Sequence, residues 1–179
     1  MQAPSEVVGA ADHVEVAVGI GPQAAGTYVT FDLSGQSLGV EVCHVREILD
    51  TVSVSRLPNA PHEIEGVIDI RGESIPIIDM GSRLGLPRME NGEETRIIVF
   101  ELQQDSQVRA VGVLADRVRD VTQIPAHEIE VPPEVVGASW QADLLRGFAR
   151  HAGLLILLLN IERIFGTDAE SVALDPMYL

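Results

Sequence analysis

The two halves of this 179-residue chain repeat one another. A repeat fixes the number of structural units before any motif is read. Gly66, Gly72, Asp79 and Gly85 recur as Gly147, Gly153, Asn160 and Gly166, every pair 81 residues apart. Between them Ile75, Ile77 and Ile78 recur as Ile156, Leu158 and Leu159. At an offset of 73, Gly39-Val40 maps onto Gly112-Val113, and Val45-Arg46-Glu47-Ile48 onto Val118-Arg119-Asp120-Val121. Thr30-Phe31-Asp32-Leu33 echoes Val99-Phe100-Glu101-Leu102.

Each copy reads as short β-branched runs broken by turn residues. Tyr28 to Leu33 and Gln36 to Val42 flank Ser34-Gly35, and Gly66 to Ile70 and Glu73 to Ile78 flank Arg71-Gly72, so both pairs read as hairpins. Arg96 to Leu102, Ala110 to Ala115 and Leu154 to Leu159 add further strands. About five short strands per copy are too few for an open sheet with bare edges and suit a small closed barrel. The predicted fold is therefore mainly β, two five-stranded barrel subdomains packed side by side, with short capping helices. Asp79 and Asn160 suit helix N-caps, and Gly85 and Gly166 sit where a short helix would stop. Ser139 is read as opening one longer amphipathic helix through Leu144, Leu145 and Phe148.

The expected boundaries are a flexible acidic tail at 1–26, a first subdomain at 27–87, a polar linker at 88–95, a second subdomain at 96–166 and a C-terminal tail at 167–179. The first tail offers one strand-like alternation, Val14 to Val18.

Charge narrows the function. Against 27 acidic residues stand 12 basic ones, all arginine, for a net charge of −15. Glu6, Asp12 and Glu15 in the first tail and Asp168, Glu170 and Asp175 in the last account for −6 of this, leaving −9 on the two copies. That sign disfavours nucleic acid and anionic lipid. With no lysine, Schiff-base chemistry and a P-loop are excluded. The longest apolar run, Leu154 to Leu159, is far below the ~20 residues of a membrane helix, and the N-terminus lacks a signal-peptide pattern, so a cytoplasmic protein without membrane insertion is expected.

No catalytic constellation emerges. An aspartic-protease dyad would need an acid from each copy, and Asp79 is answered by Asn160. His-Glu-Ile-Glu occurs at His62 to Glu65 and His127 to Glu130, each after a proline-containing turn; acids near a turn or helix start account for both, and zinc would want more ligands. The single cysteine, Cys43, sits among apolar neighbours and reads as a small buried residue. No enzyme, cofactor or metal is expected. Packing leaves unexplained the mixed segments at Val45 and Val118, and Arg71, which a hairpin would hold at a fixed position as an interface anchor.

These residues also carry a family resemblance. Phe31-Asp32-Leu33 through Glu47-Ile48, Leu57-Pro58-Asn59-Ala60-Pro61, Gly66 through Arg71-Gly72 to Ile75-Pro76-Ile77-Ile78-Asp79, Val111-Gly112-Val113 through Ile124-Pro125, Pro132-Pro133-Glu134, Leu145-Arg146-Gly147 and Leu154 to Ile161 together resemble the CheW-like chemotaxis coupling family, over about Thr27 to Gly166. The resemblance implies paired SH3-like barrels and a non-enzymatic scaffold. Its implied partners are the cytoplasmic tip of methyl-accepting chemoreceptors and the regulatory domain of a CheA-type histidine kinase, in arrays at the inner face of the membrane. By the same resemblance Val45, Glu47, Gly66, Arg71, Val118 and Val121 would line or support a receptor-facing groove between the barrels; no kinase-binding residue is assigned. A related alternative is an adaptor for a chemosensory-like pathway with a non-flagellar output such as twitching, development or a second messenger.

Overall fold

A computed structural model describes residues 26–88, 90–104, 106–132 and 142–166. The expectations for the two tails (Gly26 apart), for a strand from Val14 to Val18 and for a helix start at Ser139 lie outside the described residues. Among those described are ten strands and two short helices: β1 (Thr27–Leu33), β2 (Gln36–Glu41), β3 (Val45–Asp50), β4 (Ile64–Ile70), β5 (Glu73–Ile78), α1 (Met80–Arg83), β6 (Arg96–Gln104), β7 (Gln107–Ala115), β8 (Arg117–Gln123), β9 (Leu145–His151), β10 (Leu154–Leu159) and α2 (Ile161–Gly166).

The hairpins form where two-residue turns demand left-handed backbone. Ser34-Gly35, Arg71-Gly72 and Ala152-Gly153 all have both φ values positive, from +49° to +83°. That is the turn whose twist matches paired strands. Asp79 and Asn160 cap the helices as expected: the Asp79 side chain accepts from Ser82 N–H at 3.0 Å, and Asn160 from Arg163 N–H at 3.3 Å.

Two five-stranded sheets result, ordered β8-β1-β2-β10-β9 and β3-β6-β7-β5-β4. Sheets and repeat copies divide the chain differently. Each sheet takes the first two strands of one copy and the last three of the other. The copies meet twice within each sheet, at an antiparallel pairing, β1 with β8 and β3 with β6, and at a short parallel one, β2 with β10 through Leu158↔Gly39 and β5 with β7 through Ile77↔Gly112. The repeated glycines leave room there: a Cβ at position 39 or 112 would stand 2.8 Å from Leu158 Cδ2 or 2.4 Å from Ile77 Cδ1.

Both sheets curl until their edges are tied. Beyond β3, Ser55 exchanges two backbone hydrogen bonds of 2.8 Å with Val67 on β4; beyond β8, Glu130 does the same with Phe148 on β9. These bridges explain the glycines just before Val67 and Phe148. A Cβ on Gly66 would lie 2.3 Å from Ser55 O, and one on Gly147 2.5 Å from Glu130 O.

Burial follows the repeat. Ile68, Ile75, Ile77 and Ile97 fill the second sheet's own core, and their equivalents Ala149, Ile156, Leu158 and Tyr28 fill the first sheet's. The largest cluster contains residues of both sheets, including Val29, Phe31, Val40, Ile98, Phe100 and Val113, closed by Met80 before α1's end and Ile161, Ile164 and Phe165 of α2. Phe100 and Phe165 meet with ring centroids 6.0 Å apart. A fully buried Phe contributes roughly 2–3 kcal/mol over exposure, so this shared core joins the two sheets into one folding unit.

Three expectations are corrected. Leu145 and Phe148 belong to β9 and Leu144 to a single 3-10 turn, so the apolar spacing read as helical is that of a strand paired with β10. Gly166 still lies within α2 rather than stopping it, although Gly85 does adopt the expected positive φ of +68° after α1. Cys43 is exposed, because the 3-10 turn Val42–His44 buries only Val42 and turns its neighbours outward.

Candidate functional site

Strand β3 begins at Val45, and its alternation places Val45 and Glu47 inward while Arg46 is half-buried. A carboxylate facing inward needs a partner, because desolvating an unpaired charge costs several kcal/mol. Glu47 finds one in Arg71: the Arg71 Nη2 donates to Oε1 and Oε2 at 2.9 Å each. The two come from opposite edges of their sheet, β3 and the β4–β5 turn, which only the curl of the sheet brings together. Arg46 approaches the same carboxylate at 3.5 Å and reaches Glu73, just past the turn, at 2.7 Å. Hydrogen bonding from Arg46 pulls the Glu73 carboxyl below the ordinary glutamate range.

The pair is lopsided. The Glu47 side chain is 4% exposed and that of Arg71 is 58% exposed. Arg71 also holds φ at +52°, a left-handed conformation that costs a non-glycine residue about 1–2 kcal/mol. The buried acid thus holds an exposed, strained arginine at the surface.

The remaining members of the expected set are spread over the two sheets. Val45 is a core residue and Val118 is packed, partly buried, against the cluster that contains it. Val121 lies on β8, the edge strand of the first sheet, and is 48% exposed. Gly66 is buried at the Ser55 bridge, where it shapes β4 instead of offering a contact. Glu47 and Arg71 are therefore brought into direct contact, and Val45 and Val118 share the central core. Around Val121, β8 carries a polar frame: Arg119 donates to Asp32 at 2.8 Å and Thr30 Oγ1 to Asp120 at 2.7 Å. Sequence reading missed Arg46 and Glu73 as the other half of the Arg71 network. The signal was the Arg46-Glu47 pair itself, two opposite charges adjacent on a strand with only one able to face solvent.

A groove of about 490 Å3 opens between α1 and β10, lined by apolar residues such as Leu38, Leu84, Leu144 and Leu157, with Arg83 at its side. It lies apart from the Glu47–Arg71 pair, whose residues do not line it.

Comparison with known proteins adds independent findings. The family model of the CheW-like domain matches residues 27–169. A probable chemotaxis protein CheW of Rhizobium etli is 32% identical over 151 residues, covering 81% of this chain and 90% of that protein. Protein FrzA of Myxococcus xanthus is 30% identical over 142 residues, covering 78% of this chain and 85% of that one. Among solved structures, the scaffolding protein TtCheW of Thermoanaerobacter tengcongensis matches with a TM-score of 0.67 and 28% identity, covering 78% of this chain and 87% of that one.

Proposed function

Because the chain belongs to the CheW-like domain family, we propose that it is a non-enzymatic adaptor that couples chemoreceptor cytoplasmic tips to the regulatory domain of a CheA-type histidine kinase. In this reading it works in the cytoplasm, in receptor arrays at the inner face of the membrane. The observation that carries the receptor side is the Glu47–Arg71 pair, a buried acid holding an exposed, conformationally strained arginine in place. Arg71 and Val121 would supply accessible contacts, Glu47 would position Arg71, and Val45, Val118 and Gly66 would support the strands beneath. Such an interface suits a transient signalling partner: a small apolar contact with a charged residue that sets specificity. The net acidity of the chain favours a partner surface with compensating positive charge around the arginine's acidic target.

The test is binding of the purified full chain to receptor cytoplasmic fragments, scored beside the thermal melt. Val121→Arg changes an exposed valine and is expected to weaken receptor binding at least tenfold with the melt unchanged. Arg71→Ala is expected to weaken it similarly with a small loss of stability. Unaltered receptor binding in both folded variants would remove the receptor-face assignment. The alternative, a pathway with a non-flagellar output, differs in partner and not in fold; the receptors that co-purify with the chain separate the two.

A further inference from the structure

Just before β3 the chain makes its 3-10 turn, Val42–His44, and three metal-ligating side chains gather on it within four residues. His44 Nε2 stands 3.7 Å from Glu41 Oε2, and Cys43 Sγ stands 4.0 Å from the same oxygen. The three ligand atoms all lie within 4.8 Å of one another. A tetrahedral zinc, with Zn–N near 2.0 Å and Zn–S near 2.3 Å, spaces its ligand atoms about 3.5 Å apart. The present separations exceed that, so binding would draw the three side chains closer together.

We infer that Glu41, Cys43 and His44 form a binding site for a borderline-soft divalent cation, zinc foremost, with water completing a tetrahedron. The donor set is one thiolate, one imidazole and one carboxylate, which suits zinc and disfavours calcium and magnesium, whose ligands are oxygen alone. Two negative ligands against a 2+ ion leave a neutral site. On binding, the Cys43 S–H bond breaks, the thiol proton passes to solvent and a sulfur–metal bond forms. Cys43 is exposed, so the ion has an entry path. This departs from the sequence expectation that no metal is held, which weighed only the His-Glu-Ile-Glu segments, and from the reading of Cys43 as buried. It does not depend on the adaptor reading.

The site has a built-in competitor. Arg146, from β9, donates to Glu41 Oε1 at 3.0 Å and lies 3.0 Å from Oε2. Metal binding requires the carboxylate to yield at least one oxygen. Arg146 is 39% exposed and can withdraw toward solvent when the ion takes the carboxylate. Whatever the ion does at Glu41 is therefore opposed by Arg146, and loss of that arginine strengthens binding where loss of an ordinary structural ion pair would not.

The experiment uses the full chain, stripped of metal, titrated with Co2+ and separately with Zn2+ against a colorimetric chelator, with circular dichroism as the folding control. One equivalent of Co2+ is expected to bind and to give a thiolate-to-cobalt charge-transfer absorption in the near ultraviolet. Cys43→Ser should abolish that band and His44→Ala should weaken Zn2+ binding at least tenfold. Arg146→Met should bind Zn2+ several-fold more tightly than the unaltered chain. Co2+ binding without the thiolate band, Zn2+ binding undiminished in Cys43→Ser, Arg146→Met binding no tighter, or no binding at micromolar metal would each overturn the assignment.

Discussion

Two glycines that the repeat marks alike should respond differently to the same substitution. In Gly66→Ala the new Cβ would meet Ser55 O at 2.3 Å, Val54 Cγ1 at 2.7 Å and Ser55 C at 2.9 Å. The obstacle is backbone, held by the paired hydrogen bonds between Ser55 and Val67, so it cannot swing aside as a side-chain tip would. Making room means opening that bridge, about 1 kcal/mol for each of two hydrogen bonds. The φ of +153° adds about 1–3 kcal/mol for a residue with a Cβ, giving a loss of about 3–5 kcal/mol. At Gly72, φ is +83° but nothing lies within 4 Å of an added Cβ, so only backbone strain of about 1–2 kcal/mol is paid. Urea unfolding of both variants, with linear extrapolation, measures the difference directly. For a chain of this size each kcal/mol moves Tm by roughly 2–4 °C, so Gly66→Ala should melt about 6–20 °C low and Gly72→Ala about 2–8 °C low. Gly147→Ala, whose Cβ would meet Glu130 O at 2.5 Å, carries the bridge cost without the positive-φ strain and should lose about 2 kcal/mol. If Gly66→Ala costs no more than Gly72→Ala, the tied sheet edge is not what requires the glycine.

A double-mutant cycle on Glu47→Gln and Arg71→Met should give a coupling of about 1–2 kcal/mol, between exposed and fully buried pairs, because one partner is buried and the other open; a coupling near zero would show that Arg71 is not held by Glu47. Glu73, depressed by its bond from Arg46, contributes stability that is full above the ordinary glutamate value of 4.5 and is lost as pH falls through the lower folded value. The stability gap between the unaltered chain and Arg46→Met, read from urea midpoints across the acid range, should therefore narrow as pH falls; a constant gap would refute the assignment.

Local structure was legible in the residues because local chemistry decides it. Ser34-Gly35 and Arg71-Gly72 announce their turns, Asp79 and Asn160 their caps, and the alternation of β4 and β5 their faces. Equivalence between copies was legible too, from glycine spacing. Adjacency was not: an offset of 81 says that β5 corresponds to β10, and nothing in it says that β5 lies beside β7. The site divided the same way. Arg71 stood out as an arginine at a tight turn and Glu47 as an acid on a strand, yet their pairing depends on the curl of a sheet that sets the consecutive strands β3 and β4 at its opposite edges. Leu144 to Phe148 misled because Leu145 and Phe148 fit a helical spacing, and only β10, later in the chain, makes that segment a strand. Cys43 misled because flanking apolar residues say nothing about a turn that faces only one of them inward.

The reciprocal strand arrangement also sets a timetable for synthesis. Strands β1 and β2 leave the ribosome first, but the parallel partner of β2 is β10, which ends at Leu159, about 120 residues later. At about 5–20 residues per second that is a wait of about 6–24 s with a hydrophobic hairpin edge unpaired. Strands β3 to β5 wait as well, for β6 and β7. The nascent first copy can complete neither sheet from its own strands, so its early hairpin edge stays unpaired until the strands of the second copy have been made.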